Sequence, residues 1–236
     1  MEKPDKSATL SDDYSPLAYM RGEMNRMSSF VEETLSRCTD ESDICNLARE
    51  ILVASDAVAA TLPSMRPVPP LACRVGCDTC CHSLIQVNPV FAFLAIAQAR
   101  DTMDPDRLQV LTERLASGTS FCPFLFDGAC SIYAARPMVC RGYYSFDVTQ
   151  CEQGECCEKS LGYQGDDAHA AHQNMIFLYV LEQRIESIEN TLSLDPGPVF
   201  LDAAARILFA TPQSGARWLK GERLFSQQPV KVAHAG

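Results

Sequence analysis

The sequence predicts a mainly α-helical fold, in which a helical hairpin and C-terminal helices pack around an irregular, cysteine-rich metal-binding module with a short β-hairpin. Two observations support this prediction. Near both ends of the 236-residue chain, apolar residues recur at intervals of three and four, the period of an amphipathic helix. The middle of the chain holds ten of the twelve cysteines. We therefore expect helices at both ends and, between them, a region that depends on something other than a hydrophobic core.

The N-terminal part is predicted as a disordered segment at residues 1–14 and a helical hairpin at residues 15–63. A serine–proline pair at the start of the hairpin is typical of a helix N-terminus. The second helix follows Ser42, and Pro63 is expected to end it. The first helix carries a stripe of methionines, which we interpret as flexible core filling, although it is also a candidate surface for a protein partner or a homodimer. These methionines are Met20, Met24 and Met27.

Two helices are predicted inside the cysteine-rich metal-binding module, which we place at residues 64–165. Each begins with a residue that caps helices, followed by proline, which suits the first helical turn. The first helix begins at Asn88-Pro89 and runs to about Arg100. The second begins at Asp104-Pro105 and stops at Gly118.

Short strands and loops are predicted for the remainder of the module. Two apolar runs, at residues 121–126 and 129–133, are separated by Asp127-Gly128. The Asp-Gly pair favours the positive φ angles that a tight hairpin turn needs. We therefore expect a small hairpin that presents Cys122 and Cys130 near its open end.

The C-terminal helices are predicted at residues 166–225. Two aspartates begin a long helix whose apolar stripe continues to Leu192, because acidic residues favour the positive end of the helix dipole. A proline-rich turn is followed by a shorter helix that ends near Thr211 and by a helical piece around Trp218. Residues 226–236 are predicted as a flexible tail.

The spacing of the clustered cysteines predicts metal binding. A Cys-x2-3-Cys turn brings two thiolates close enough to bind one metal ion, at about 2.3 Å for zinc, and two such turns complete a tetrahedron. Disulfides in an exported protein are the alternative, but the chain shows no export signal. The candidate metal ligands are Cys73, Cys77, Cys80, Cys81, Cys122, Cys130, Cys140, Cys151, Cys156 and Cys157.

Neighbouring side chains on an extended backbone point to opposite faces, so Cys80 and Cys81 are not expected to serve one site symmetrically. Either one of them binds metal while the other packs, or each faces a different metal. Cys38 and Cys45 lie away from the group, on the first two helices, and we interpret them as buried packing thiols.

The region from about residue 73 to 142 contains, in order, Cys73-x3-Cys77-x2-Cys80-Cys81, Cys122-Pro-Phe-Leu, Cys130-Ser-Ile-Tyr, Arg136-Pro and Cys140-Arg. In this pattern it resembles the CxxCxxCC cysteine-cluster family of zinc- or iron-chelating proteins. The resemblance implies a zinc or iron site and no particular reaction. The family usually has an eighth cysteine further along, a place for which Cys151, Cys156 and Cys157 compete.

The expected function is metal binding through cysteine thiolates, with zinc or iron, including an iron–sulfur cluster, as the cofactor. All-sulfur ligation suits zinc and iron–sulfur clusters equally, so ligand type does not choose between them. Two alternatives stay open. One is an iron–sulfur-dependent modifying enzyme, either methylase-like or similar to radical enzymes that use S-adenosylmethionine, which share the Cys-x3-Cys-x2-Cys spacing. The other is a metal storage or delivery protein.

Other polar residues are candidate partners of the site. Arg74, Arg136 and Arg141 lie beside predicted ligands and are expected to stabilise the negative charge of a four-thiolate site, or else to bind an anionic substrate. His169 and His172 lie one turn apart at the start of the long helix. We interpret them as a polar helix face, with metal binding as the alternative.

Charge and hydropathy argue against two kinds of partner. The net charge of −10 is opposite to what a nucleic-acid-binding protein needs. The longest apolar stretch, residues 84–99, is interrupted by polar residues and proline and is shorter than the roughly 20 residues of a membrane span. The first 15 residues lack the apolar segment of an export signal, so a cytoplasmic location is expected, where thiols stay reduced.

Overall fold

The computed structural model describes residues 16–65, 72–142, 148–153 and 169–226. Helices make up most of these residues, together with two small, two-stranded antiparallel sheets, so the predicted fold class is confirmed. In the described part of the chain, one hydrophobic core contains residues from the N-terminal helices, the cysteine-rich region and the C-terminal helices. The region that carries the cysteines therefore packs on the same core as the helices.

The N-terminal part forms two helices that pack against each other, α1 at Pro16–Leu35 and α2 at Glu41–Met65. Asp40 caps α2, because its carboxylate accepts a hydrogen bond of 3.0 Å from the backbone N–H of Asp43. The prediction that Pro63 ends α2 is wrong by two residues. A proline this close to the end removes only one hydrogen bond from the last turn, so the helix continues past it.

The methionine stripe of α1 lies inside the protein. Met20 and Met24 are buried, and Met27 is 1% exposed. This burial agrees with the interpretation of the stripe as core filling. A partner or second copy that contacts α1 would therefore have to use another face of the helix.

Two helices follow the first cysteines, α3 at Pro89–Thr102 and α4 at Pro105–Ser117. The first eight residues of α3 are all buried, as expected for a helix that lacks a polar face. Asp104 accepts a hydrogen bond of 2.9 Å from the backbone N–H of Arg107, and Gly118 follows the last turn of α4 with a φ of +78°. Both predicted ends of α4 are therefore confirmed.

Two short strand pairs lie beside the cysteines. β1 at Gln86–Val87 pairs with β4 at Val199–Phe200, and β2 at Leu125–Phe126 pairs with β3 at Ala129–Cys130. The turn between β2 and β3 has positive φ angles at Asp127-Gly128, so the predicted hairpin is confirmed, with shorter strands. The pairing of β1 with β4 was not predicted, because strands of two residues leave no periodic pattern in the sequence.

Short helices replace some of the loops predicted for the second half of the module. They are α5 at Met138–Gly142 and α6 at Val148–Glu152, and a 3-10 turn at Tyr133–Ala135 precedes them. The prediction of only short strands and loops is wrong for these residues. Helices of five residues are too short for a helical period to be visible in the sequence.

The C-terminal part contains three helices, α7 at His169–Thr191, α8 at Leu201–Ala210 and α9 at Ser214–Leu219. They match the predicted long helix, the shorter helix and the helical piece around Trp218, whose indole N–H donates a hydrogen bond of 2.7 Å to the carbonyl of Asp195. The predicted disordered N-terminus, the acidic start of the long helix and the tail beyond residue 226 lie outside the described residues. None of the described helices combines the length and hydrophobicity needed to cross a membrane.

Candidate metal centre

Six cysteines line one cavity in the cysteine-rich region, called here the cysteine cavity. It has a volume of about 40 Å³, and most of its other lining residues are apolar. The six cysteines come from three parts of the chain, namely the segment that includes the 3-10 turn Thr79–His82, the β2–β3 hairpin and α5. The cysteines are Cys77, Cys80, Cys81, Cys122, Cys130 and Cys140.

A glycine turn shapes the first cysteine segment. The backbone N–H of Cys77 donates a hydrogen bond of 3.0 Å to the carbonyl of Arg74, which closes a turn in which Gly76 has a φ of +87°. Glycine adopts this conformation readily, whereas a residue with a Cβ atom is strained in it. Gly76 therefore sets the path by which the chain delivers Cys77 to the cysteine cavity.

Cys80 and Cys81 lie in one turn of 3-10 helix, Thr79–His82. The prediction that these two side chains point to opposite faces is wrong, because the backbone is not extended here. With three residues per turn, neighbouring side chains on a 3-10 helix lie about 120° apart, so both thiols can reach one cavity. Cys80 is exposed, whereas Cys81 is half-buried.

A backbone hydrogen bond joins this turn to the β2–β3 hairpin. The N–H of Cys122 donates to the carbonyl of Cys81 at 2.8 Å. Ser131 closes the hairpin with two hydrogen bonds to the carbonyl of Phe124, of 3.0 Å from its N–H and 2.8 Å from its hydroxyl. The hairpin brings Cys122 and Cys130 to the same cavity, as the sequence predicted.

Arg114 of α4 holds the hairpin in place. Its guanidinium donates hydrogen bonds to the carbonyls of Pro123 and Leu125, at 3.2 and 2.6 Å. It also lies over the ring of Phe126, 4.1 Å from the ring centre, in a cation–π contact. Sequence reasoning did not single out Arg114, because an arginine on a helix surface gives no sign of what it contacts.

Cys140 is carried by α5, which packs against α7. The backbone N–H of Val139, next to this cysteine, favours the charged form of the Glu182 carboxylate on α7. Burial nevertheless raises the pKa of Glu182 to about 7. The long C-terminal helix therefore helps to position the last of the six thiols.

The clustered thiols favour each other's protonated form. Hydrogen bonding with Cys81 is the largest cause that raises the pKa of Cys80 well above its usual range. Hydrogen bonding with Cys122 is the largest cause that raises the pKa of Cys81, to about 12. Burial raises the pKa of Cys130 and of Cys140. Several thiolates can coexist in this cavity only if a cation compensates their charge.

Among the described residues, Arg136 is the cation that lines the cysteine cavity. Its charge favours the thiolate forms of three cysteines, Cys80, Cys130 and Cys140. Its Nε atom is buried and has no hydrogen-bond partner in the described part of the chain. A buried N–H without an acceptor destabilises the folded protein. A metal-bound thiolate could accept the hydrogen bond of this N–H.

The other two arginines expected beside the ligands have different roles. Arg141 is 8% exposed and donates to the carbonyls of Ala134 and Arg136, at 2.7 and 3.0 Å, and to the carboxylate of Asp56. These bonds fix the backbone that leads into α5. Arg74 is exposed. Of the three arginines, only Arg136 lines the cysteine cavity.

Two further predicted ligands, Cys73 and Cys151, do not line this cavity. Cys73 is half-buried, four residues before Cys77. Cys151 is half-buried on α6, and α6 packs against the 3-10 turn Thr79–His82. Four predicted candidates lie outside the described part of the chain, namely Cys156, Cys157 and the side chains of His169 and His172.

The two cysteines interpreted as packing thiols lie in or against the hydrophobic core. Cys45 is buried, and burial raises its pKa to about 12. Cys38 is half-buried, and burial raises its pKa to about 11. Both thiols therefore stay protonated at neutral pH, as the packing interpretation expects.

The thiols share a cavity without forming a completed coordination shell. Among the described residues, no group of three or more histidine, cysteine, aspartate or glutamate side chains is already arranged to hold a metal ion. A metal ion would have to draw the thiols together. Each cysteine can respond by rotating about a single side-chain torsion.

A second, more open cavity of about 520 Å³ shares Tyr133 and Arg136 with the cysteine cavity. We call it the open cavity. Sequence reasoning missed it, because three of its lining residues are alanines, which carry no chemical signal. Its other lining residues are Asp56, Ala59, Ala60, Ala134 and Arg141.

Comparisons of this chain with protein-family models, with curated proteins and with solved structures found no match.

Proposed function

We propose that this protein binds a thiophilic metal, either zinc or iron in an iron–sulfur cluster, through thiolates of the cysteine cavity. The observation that carries the proposal is the convergence of six cysteines, from the first cysteine segment, the β2–β3 hairpin and α5, on one cavity. Chain topology alone gives no reason for so many thiols to meet. A shared metal supplies one, because thiolate sulfur is the ligand that zinc and iron–sulfur clusters have in common.

The charge of the surroundings supports the proposal. A divalent zinc ion with four thiolates carries a net charge of −2, which needs nearby donors and cations. Arg136 lines the cysteine cavity and has a buried Nε–H without an acceptor among the described residues. A metal-bound thiolate would accept this hydrogen bond.

The number of thiols makes the metal content informative. One tetrahedral zinc ion, or one [4Fe–4S] cluster, uses four thiolates, which is two fewer than the cysteine cavity provides. Two zinc ions that share two bridging thiolates would use all six. A ratio of one metal ion per chain, two ions per chain, or four irons with sulfide per chain therefore identifies the site.

The proposed similarity to the CxxCxxCC cysteine-cluster family points to the same chemistry. Seven cysteines carry that similarity, from Cys73 to Cys140, and six of them line the cysteine cavity. Cys73 is the exception. Cys73 and Cys151 are the described candidates for further ligands, because both lie in or against the first cysteine segment.

A metal-dependent modifying enzyme is the second candidate, and one observation favours it. The open cavity shares Arg136 and Tyr133 with the cysteine cavity, so a bound small molecule would lie next to the metal. A purely structural metal site needs no such space.

Anaerobic purification followed by metal and sulfide analysis tests the proposal. A brown protein that contains iron and acid-labile sulfide supports the iron–sulfur cluster, and a colourless protein that contains zinc supports the zinc site. Failure to bind either, after reconstitution with zinc and with iron and sulfide, would contradict the proposal.

A pair of variants separates the cysteine cavity from cysteines in general. Cys81→Ser removes a thiol that interacts with two other thiols of the cavity, and we expect at least about a tenfold loss of metal affinity. Cys38→Ser removes a half-buried thiol that does not line the cavity, and the metal content should stay unchanged. Equal metal affinity in the two variants would exclude Cys81 as a ligand.

A further inference from the structure

We propose that the open cavity binds a small molecule through a carboxylate group, and that Arg136 recognises this carboxylate. The inference rests on the proposed function only in placing this molecule beside a metal. Binding of the carboxylate itself depends on the lining of the open cavity.

The open cavity has room for a ligand. Its volume of about 520 Å³ lies within the range of roughly 300 to 1,000 Å³ that is typical of small-molecule sites. Three alanines, Ala59, Ala60 and Ala134, line it without filling it. Their methyl groups offer an apolar surface for the body of a ligand.

The charges of the lining favour an anion. Asp56 and Arg141 form an ion pair, so their charges offset each other. Arg141 is further occupied by the carbonyls of Ala134 and Arg136. Among the described residues, Arg136 has no carboxylate within ion-pair distance, so in the metal-free protein its charge is the uncompensated charge of the open cavity. A positive lining in a chain of net charge −10 selects a negatively charged ligand locally.

The planar shape of the Arg136 guanidinium and its single positive charge favour a carboxylate over a phosphate. A guanidinium presents a planar fork that matches the two oxygens of a carboxylate. Tyr133 supports the fork, because the central carbon of Arg136 lies 4.2 Å from the centre of its ring. One guanidinium compensates one negative charge. A phosphate, with up to two charges at neutral pH, would keep an excess charge beside the thiolates.

Isothermal titration calorimetry with benzoate, and with benzamide as its neutral analogue of the same shape, tests the inference. We expect saturable benzoate binding with a dissociation constant between about 10 µM and 1 mM, and at least about tenfold weaker binding of benzamide. Equal binding of the two compounds, no saturable binding of benzoate, or binding of inorganic phosphate without benzoate would overturn the proposal.

Variants on α2 locate the binding without touching a cysteine or an arginine. Ala60→Trp fills the open cavity and should weaken benzoate binding at least about tenfold. Ala57→Trp is the matched control, because Ala57 is exposed on the same helix and does not line the open cavity. Unchanged benzoate binding in Ala60→Trp, with helical content and melting like those of the control, would overturn the proposal.

Arg136→Lys tests the recognition itself, since lysine keeps the charge but lacks the planar fork. We expect about a tenfold loss of benzoate affinity in this variant, and an unchanged affinity would contradict the role of Arg136.

Titration of both metal-free and metal-loaded protein separates this inference from the proposed function. Benzoate binding by a protein that takes up neither zinc nor iron would support the carboxylate site and contradict the metal centre. Metal uptake without benzoate binding would support the metal centre and contradict the carboxylate site.

Discussion

At the scale of single residues, the thiols of the cysteine cavity link metal binding to pH. The pKa of Cys81 is raised to about 12, chiefly by hydrogen bonding with Cys122, and the pKa values of Cys80, Cys130 and Cys140 are also raised. These thiols therefore carry their protons at pH 7 in the metal-free protein. Each must lose its proton before it can bind a metal.

We therefore expect metal affinity to fall steeply as the pH is lowered from 8 to 6, with about one proton released for each thiol that binds. Calorimetric titration of zinc, in two buffers with different enthalpies of ionisation, counts these protons. Cys38→Ser is the control, because Cys38 does not line the cavity and its loss should leave the proton count unchanged. Zinc binding without proton release would show that the thiols are not the ligands.

A buried carboxyl group gives a second pH effect, independent of metal. Glu189 is fully buried on α7, and its carboxylate accepts a hydrogen bond of 2.9 Å from the N–H of Gly197. Burial raises its pKa from 4.5 to about 8, because the charged form loses its hydration. The folded protein thus holds a proton that the unfolded chain releases. The stability from this group is complete below pH 4.5 and is lost as the pH rises through 8.

Glu189→Gln should remove this pH dependence, because glutamine keeps the shape and the acceptor for Gly197 but does not titrate. Between pH 5 and 8, we expect the unfolding free energy of the wild type to fall, relative to the variant, by up to about 1.4 kcal/mol per pH unit. Urea unfolding of metal-free protein at several pH values measures this difference. Glu50→Gln, an exposed change on α2, should follow the wild type. Parallel stability curves for Glu189→Gln and the wild type would contradict the argument.

The sequence predicted the placement of residues well where a local turn signal fixes it, and poorly where it depends on backbone geometry that leaves no signal. Cys122 and Cys130 were placed together because the Asp-Gly turn is visible in the sequence. Cys80 and Cys81 were separated wrongly, because the sequence does not show that their backbone forms a 3-10 turn. Arg136 and Arg141 both lie close to predicted ligands in the sequence, and only packing directs one to the cysteine cavity and the other to Asp56.

At the scale of elements, the turn before Cys77 determines the backbone path of the first cysteine segment. Gly76 has a φ of +87°, and a Cβ atom added there would meet nothing within 4 Å. Backbone conformation, rather than space, therefore opposes a larger residue. Gly76→Ala should cost about 1 to 2 kcal/mol in this turn and weaken metal binding about five- to thirtyfold.

Gly22→Ala is the matched control for this prediction. Gly22 lies in α1, also with nothing within 4 Å of an added Cβ atom, and alanine favours a helix by roughly 0.5 to 1 kcal/mol. We therefore expect unchanged metal affinity and slightly higher stability. Competition with a zinc chelator measures both affinities. A similar affinity for the Gly76→Ala variant and the wild type would mean that the turn does not position Cys77 for binding.

Elements with local start and stop signals were predictable, whereas elements made by distant pairing were not. The two ends of α4 follow from Asp104 and Gly118, which act through their own backbone neighbours. The β1–β4 pair joins Gln86 to Phe200. Strands of two residues are too short for the sequence to show the alternation that predicts such a pairing. The short helix α5 was missed for the same reason, although it carries Cys140.

At the scale of the whole molecule, the cysteine cavity and the helices depend on each other. Cys122, which lines the cavity, and its near neighbour Phe124 belong to the same hydrophobic core as Phe93 of α3. The 3-10 turn Tyr133–Ala135, between the two cavities, packs against α3 as well. A metal that fixes this region should therefore stabilise the helices around it.

We accordingly expect metal removal to destabilise the entire fold, and not only the cysteine-rich region. A ligand that binds only the folded state stabilises it by about 4 kcal/mol when its concentration is a thousand times its dissociation constant. For a chain of 236 residues this corresponds to a fall of roughly 8 to 16 °C in melting temperature on chelation. Circular dichroism measures the melting, and hydrogen exchange should show lost protection in α3 as well as around the cysteines.

Cys81→Ser, with the same chelator, should melt unchanged if it no longer holds metal. Unchanged melting of the wild type, after metal analysis confirms complete removal, would mean that the core alone holds the thiols together.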